Sequence, residues 1–307
     1  MTQPTVPAAA ADEARHEPTD EELWSESLYL DFFDADGQVG GYVRLGLYPN
    51  LGTAWYWACV VGPDRPLVTV IDHDAPLPNG RDLEIRTEGL WSSLTVETPL
   101  DHFSVGCEAF AVGVDDPAEV YGDLRGDRVP FGLDLEWETD GGTYAYPGIT
   151  RYEVPCRVHG EVLLGDERLE IDGWGQRDHS WGVRDWWTFG WSWTAGRLDD
   201  GTRFHGTHVT FDEALLFQTG YVQPPGGPLA GVEAFDRDQV LGDAGFPTSG
   251  TCRLDGLELE IEPVSFSPVH LVAPDGRTSR FPRALCRFTE VGGSRTGLGW
   301  TEWNQPQ

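Results

Sequence analysis

Short alternations of apolar and polar residues, punctuated by Gly, Pro, Asn and Asp, fill the chain from residue 23 to its end. A period of two is the signature of strands with one buried face. Residues 27–33 and 39–47 flank Asp34-Ala35-Asp36-Gly37, a hairpin turn. Further strands are predicted over 53–61, 67–72, 83–87, 94–98, 103–112, 132–139, 153–164 and 167–172. The second half continues over 187–197, 202–211, 215–222, 251–262, 265–272, 280–291 and 296–303. Helical periodicity is weak: residues 115–122 predict one short helix, and 234–243 a single turn or a bulged strand. The fold class is therefore all-β. Strongly twisted sheets close at about eight to ten strands, so two antiparallel barrels in tandem are expected rather than one large one. The expected organisation is a disordered acidic tail over 1–22, a first barrel over 23–185 and a second over 186–307.

Charge removes several classes of function. The 307 residues carry a net charge of −30, of which the tail supplies −5 (six acids against Arg15). Such a surface repels phosphate backbones and anionic headgroups, so no nucleic-acid partner is expected. Every one of the 21 basic residues is Arg. The five cysteines are far apart, form no CxxC and are odd in number, which fits free buried thiols in a reducing cytoplasm. The N-terminus lacks the basic and apolar regions of a signal peptide, and no apolar run reaches the length of a membrane span. A cytoplasmic protein without an integral membrane segment is the expectation.

Candidate chemistry concentrates in residues 173–193, GWGQRDHSWGVRDWWTFGWSW, which hold six of the thirteen tryptophans. Aromatic walls with a few polar groups are what a small-molecule pocket looks like. On a strand, Arg177, His179 and Trp181 share one face and Asp178 and Ser180 the other. His179, with an ordinary pKa near neutrality, is the expected acid–base residue; Asp178 is either its companion or a structural partner of Arg184. Trp174, Trp191 and Trp193 are candidate pocket walls, and Arg177 or Arg184 a candidate carbonyl or carboxylate clamp. His205 and His208 face opposite ways unless Gly206 marks a bulge, which leaves open which of them enters the pocket. Glu302 stands between Trp300 and Trp303 as a partner for an Arg or His. Asp72-His73-Asp74 reads as a solvated loop. No phosphate loop, dinucleotide fingerprint or metal motif is present, so neither a cofactor nor a metal is expected.

The stretch YEVPCRVHGEVLLGDERLEIDGWGQRDHSWGVRDWW (152–187) resembles the carotenoid 1,2-hydratase and AttH-like group. The resemblance rests on Arg177-Asp178-His179-Ser180-Trp181-Gly182 after a hairpin, followed by Arg184 and Trp186. The closing GLGWTEWNQ, with Glu302, is similar too. It implies tandem lipocalin-like barrels and places His179 and Trp181 at the group's functional positions. The hydratases also use a tyrosine and an acidic residue downstream; here Arg203–His208 contains neither. Two functional readings stand at this point. One is a pocket enzyme of hydratase, lyase or cyclase type acting on a terpenoid, polyketide or steroid-like molecule. The other is a carrier that binds a hydrophobic small molecule unchanged.

Overall fold

The computed structural model describes residues 7–80 and 83–307. Two antiparallel sheets of eleven strands each make up the molecule. In the first, the order is Arg65–Pro76, Thr53–Gly62, Gly40–Tyr48, Trp24–Asp34, Glu167–Val183, Arg151–Leu164, Asp127–Thr139 and His102–Val114. Pairing of Arg65–Pro76 back onto His102–Val114 closes these strands into a barrel. The second sheet runs from Ala214–Gln223 through Arg203–Phe211, Gly190–Leu198, Thr296–Pro306, Arg283–Glu290, Leu257–Phe266 and Pro247–Leu254 to Phe235–Leu241. Two barrel-like sheets in tandem are the architecture the alternation predicts.

Local chemistry explains the details. Asp34 Oδ1 accepts from the amides of Gln38 and Val39, and Gly37 takes φ +68° in the predicted hairpin. The short helix is a 3₁₀ turn, Pro117–Tyr121, capped by Asp116, whose side chain accepts from the Ala118 amide. Residues 234–243 contain the strand Phe235–Leu241, bulged at Val240/Leu241. The sequence 72–74 is not a solvated loop but part of Arg65–Pro76, with His73 packed 5.0 Å from the Trp55 ring.

Strands Trp24–Asp34, Gly40–Tyr48 and Thr53–Gly62 are buried along almost their whole length on both faces. One face, including Leu28, Leu30, Phe32, Val43, Leu45 and Tyr56, fills the first barrel. The other, including Tyr29, Tyr42, Tyr48, Trp55 and Trp57, packs on Trp186, Trp187, Trp193, Phe281 and Trp300. The tryptophans of 173–193 thus largely build the junction between the two sheets. A separate cluster around Phe204, Phe235, Leu259, Phe288 and Trp303 fills the second sheet.

The tail needs a correction. Residues 1–6 lie outside the described residues, but 7–22 pack against the first barrel. The 3₁₀ turn Ala10–Glu13 buries Glu13, whose Oε1 receives Arg177 Nη1 at 2.9 Å and the Leu100 amide at 3.0 Å. Composition gave no sign of this, because a single acidic residue anchoring a buried arginine leaves no periodic trace.

Candidate active site

A cavity of about 260 Å³ opens where the two sheets meet. Its apolar wall includes Phe189, Trp191, Trp193, Val209 and Phe217; Tyr146, Arg151, Ser180, Arg184 and Thr207 supply polar groups. Trp191 and Trp193 alternate along Gly190–Leu198, which puts both on the junction face. Arg151 lies at the start of Arg151–Leu164, and Ser180 near the end of Glu167–Val183. Gly182, at φ +122°, and Arg184, just past the end of the same strand, also border the cavity.

A fully buried carboxylate underlies this polar edge. Glu153 Oε1 accepts from Arg151 Nε at 2.8 Å and Trp193 Nε1 at 3.0 Å, and the Tyr146 oxygen lies 2.9 Å from it. Its Oε2 accepts from Gln176 Nε2 at 3.0 Å. Burial favours the protonated acid, but Arg151, then His205 and these N–H donors, outweigh it and hold Glu153 below the usual carboxylate range. The His205 ring fixes its tautomer: Nδ1 lies 2.9 Å from the Thr194 carbonyl and must donate to it. Nε2 then faces the Tyr146 hydroxyl at 2.7 Å as an acceptor. Burial, acting first, and Arg151 lower the His205 pKa to about 4, so the ring is neutral near pH 7. The Thr207 hydroxyl completes the set, 2.6 Å from Tyr146. Tyr146 is thus the meeting point of an acid, a neutral imidazole and a hydroxyl. Burial keeps its own ionisation well above the ordinary range.

Asp178 sits behind Arg151, accepting from Nη2 at 2.9 Å. Burial raises it to about 7, against the pull of Arg151 and with the repulsion of Glu153. Ser180 accepts from Arg184 Nη2 at 2.8 Å. These even-numbered residues of the strand face the junction.

The odd-numbered ones do not, and this corrects the expectation for His179 and Arg177. Both point into the first barrel, whose interior is filled by core side chains. His179 is 2% exposed; its Nε2 lies 3.0 Å from Glu26 and its Nδ1 3.2 Å from the Tyr152 hydroxyl. Glu26 also accepts the backbone amide and Nδ1 of His16. The hydrogen bonds from His16 and His179 outweigh burial and hold Glu26 below the usual range. Arg177 gives Nη1 to Glu13, while its Nε and Nη2 are buried without a partner among the described residues. Trp181 reaches both environments: its ring stacks on His16 with centroids 3.7 Å apart, while the residue borders the cavity.

Four further candidates, Trp174, Glu302, His205 and His208, do not line this cavity. Trp174 lies away from this cavity, its ring between the guanidinium groups of Arg157 and Arg197. Glu302 pairs with Arg283 at 2.9 Å and does not line the cavity. Gly206 marks no bulge: the register shift of that strand falls at Val209/Thr210, so His205 and His208 face opposite ways. His205 joins the junction network and His208 faces Arg237 and Asp236 instead. Sequence reasoning missed Tyr146, Arg151, Glu153 and Thr207. The alternation Tyr144-Ala145-Tyr146 and Arg151-Tyr152-Glu153 was the available signal, but it lies outside the aromatic-rich stretch.

The class of protein is now defined: two lipocalin-like β-barrels in tandem with a part-aromatic cavity between them. Over residues 9–307 the chain belongs to the DUF7064 family, described as a domain of unknown function. Among curated proteins none matches it in sequence. Solved structures with the same fold include a protein of Nitrosomonas europaea provisionally assigned as an AttH, with TM-score 0.68, 13% identity and 99% of each chain covered. Kievitone hydratase from Nectria haematococca matches with TM-score 0.60 and 10% identity, over 99% of this chain and 96% of that one. CghA in complex with Sch210972 matches with TM-score 0.62 and 11% identity, over 100% and 94%. The likeness to the AttH-like group read from Arg177–Gly182 therefore holds for the fold. Among the described residues no helix is long and apolar enough to cross a membrane.

Proposed function

We propose that the protein is an acid–base catalyst for a hydrophobic small molecule bound in the junction cavity, working by hydration, dehydration or cyclisation. The observation that carries this reading is the Tyr146–His205–Glu153 constellation at the edge of an aromatic wall. A proton leaving the substrate passes to the Tyr146 oxygen as the Tyr146 proton passes to His205 Nε2, so no tyrosinate forms. The imidazolium produced is stabilised by Glu153, whose Oε1 lies 3.6 Å from Nε2. Run backwards, the same relay delivers a proton to an alkene or a leaving hydroxyl. Trp191 and Trp193 offer π faces to a developing cation. His179 has no part in proton transfer in this reading. It holds the first barrel together through Glu26 and Tyr152, and Trp181 contributes wall only.

Kievitone hydratase, by its name, adds water, and the shared fold makes that chemistry a fitting first assay. The test is mass spectrometry of small molecules that copurify with the protein, followed by their incubation with it. Conversion to an isomer, or to a product differing by one water, is expected for the natural chain. Tyr146→Phe should reduce the rate by about 100-fold. A ligand recovered unchanged by the natural chain would favour carriage and end the catalytic reading.

A further inference from the structure

The ion pairing around the cavity leaves guanidinium groups without a carboxylate, and this indicates what the ligand carries. Arg151 is doubly paired, to Glu153 and Asp178. Arg184, bordering the same cavity, donates Nη2 to Ser180 and has no carboxylate within 4.0 Å among the described residues. Its Nε and Nη1 have no protein partner there either, yet neither is sealed from open space. Arg44 lies behind it over Trp57 and Trp186, also without a carboxylate, its Nη1 buried and unpartnered. Two of these three guanidinium groups therefore lack a carboxylate partner among the described residues. Burial, then repulsion from Arg151 and Arg44, lowers Arg184 to about 10. Asp185, the one carboxylate bordering the cavity among the described residues, is engaged by the Trp187 and Thr188 amides and the Thr188 hydroxyl, with Arg277 Nη1 3.7 Å away. Buried charges are kept where something pairs them.

We propose that the cavity takes an organic anion: an apolar body against Trp191, Trp193 and Phe217, with a carboxylate-type head received by Arg184. This deepens the reading of the cavity as the ligand site and rests on it. A carboxylate accepts charge-assisted guanidinium N–H bonds, and Arg184 has N–H groups free to give them. The head would also place the carbon next to it near Tyr146, where the relay can exchange its proton.

The test compares 2-naphthoate with 2-acetonaphthone, two probes of similar size and different charge, by calorimetric titration of the full chain at pH 7.5. Naphthoate should bind about 10-fold more tightly. Arg184→Gln should abolish that preference while leaving acetonaphthone binding in place, which also reports that the variant is folded. Arg184→Lys should keep part of it. Equal affinity of the natural chain for both probes, or a preference untouched in Arg184→Gln, would overturn the inference and leave the cavity standing. Binding of neither probe would overturn the cavity reading and this inference together.

Discussion

The molecule contains the same chemical set twice. In the first barrel, His179 bridges Glu26 and Tyr152; at the junction, Tyr146 bridges Glu153 and His205. Each set has a buried carboxylate, an imidazole and a phenol within hydrogen-bond reach. The first set is enclosed by core side chains and by the tail residue His16. The second borders a cavity through Tyr146. Residue types do not separate a structural cluster from a candidate site. Access does, and here it is set by which face of one strand a residue occupies.

That contrast yields graded expectations. Glu153→Gln should have the largest effect on stability. It removes the carboxylate that Arg151 Nε, Trp193, Gln176 and Tyr146 share, and breaking a buried ion pair costs about 3–5 kcal/mol. Urea unfolding measures it. His179→Ala should cost about 2–3 kcal/mol, from lost packing and from one donor fewer at Glu26. Naphthoate affinity should stay within about twofold, since no ligand contact is removed. A large loss of affinity with unchanged stability would return His179 to the site and break the comparison.

A further effect is one of pH. His205 and His73 are both lowered from 6.5 to about 4 by burial, so each is neutral when folded and protonates on unfolding below about 6.5. The unfolded state then binds more protons. Their contribution is fully present above pH 6.5 and is lost as pH falls towards 4. The urea midpoint should therefore drop across that window, and His205→Asn should flatten the slope. An unchanged slope in His205→Asn would mean that the ring is not held neutral at the junction.

Much of this was legible in the sequence, for physical reasons. A period of two marks strands wherever one face is buried, and turn residues mark their ends, so the all-β tandem emerged directly. The alternation also separated Arg177 and His179 from Asp178 and Ser180 correctly. It cannot say which face is which when both faces are buried, and Glu167–Val183 in its second half has barrel core on one side and the junction on the other. The pull of the RDHSWG segment led to the wrong face. Arg151, Glu153 and Tyr146 come from a different strand and loop, brought to Trp193 and His205 by packing between the sheets, which leaves no mark on local spacing. Glu13 and His16 reach the barrel through single contacts, which an acidic, Pro- and Ala-rich composition hides.

The most direct test of the central claim is a crystal structure of the full chain soaked with 2-naphthoate. The probe is expected in the junction cavity, its ring on Trp193 and its carboxylate at Arg184, with Tyr146 alongside and the first barrel unchanged. Density for the probe inside the first barrel against His179, with the junction empty, would contradict it.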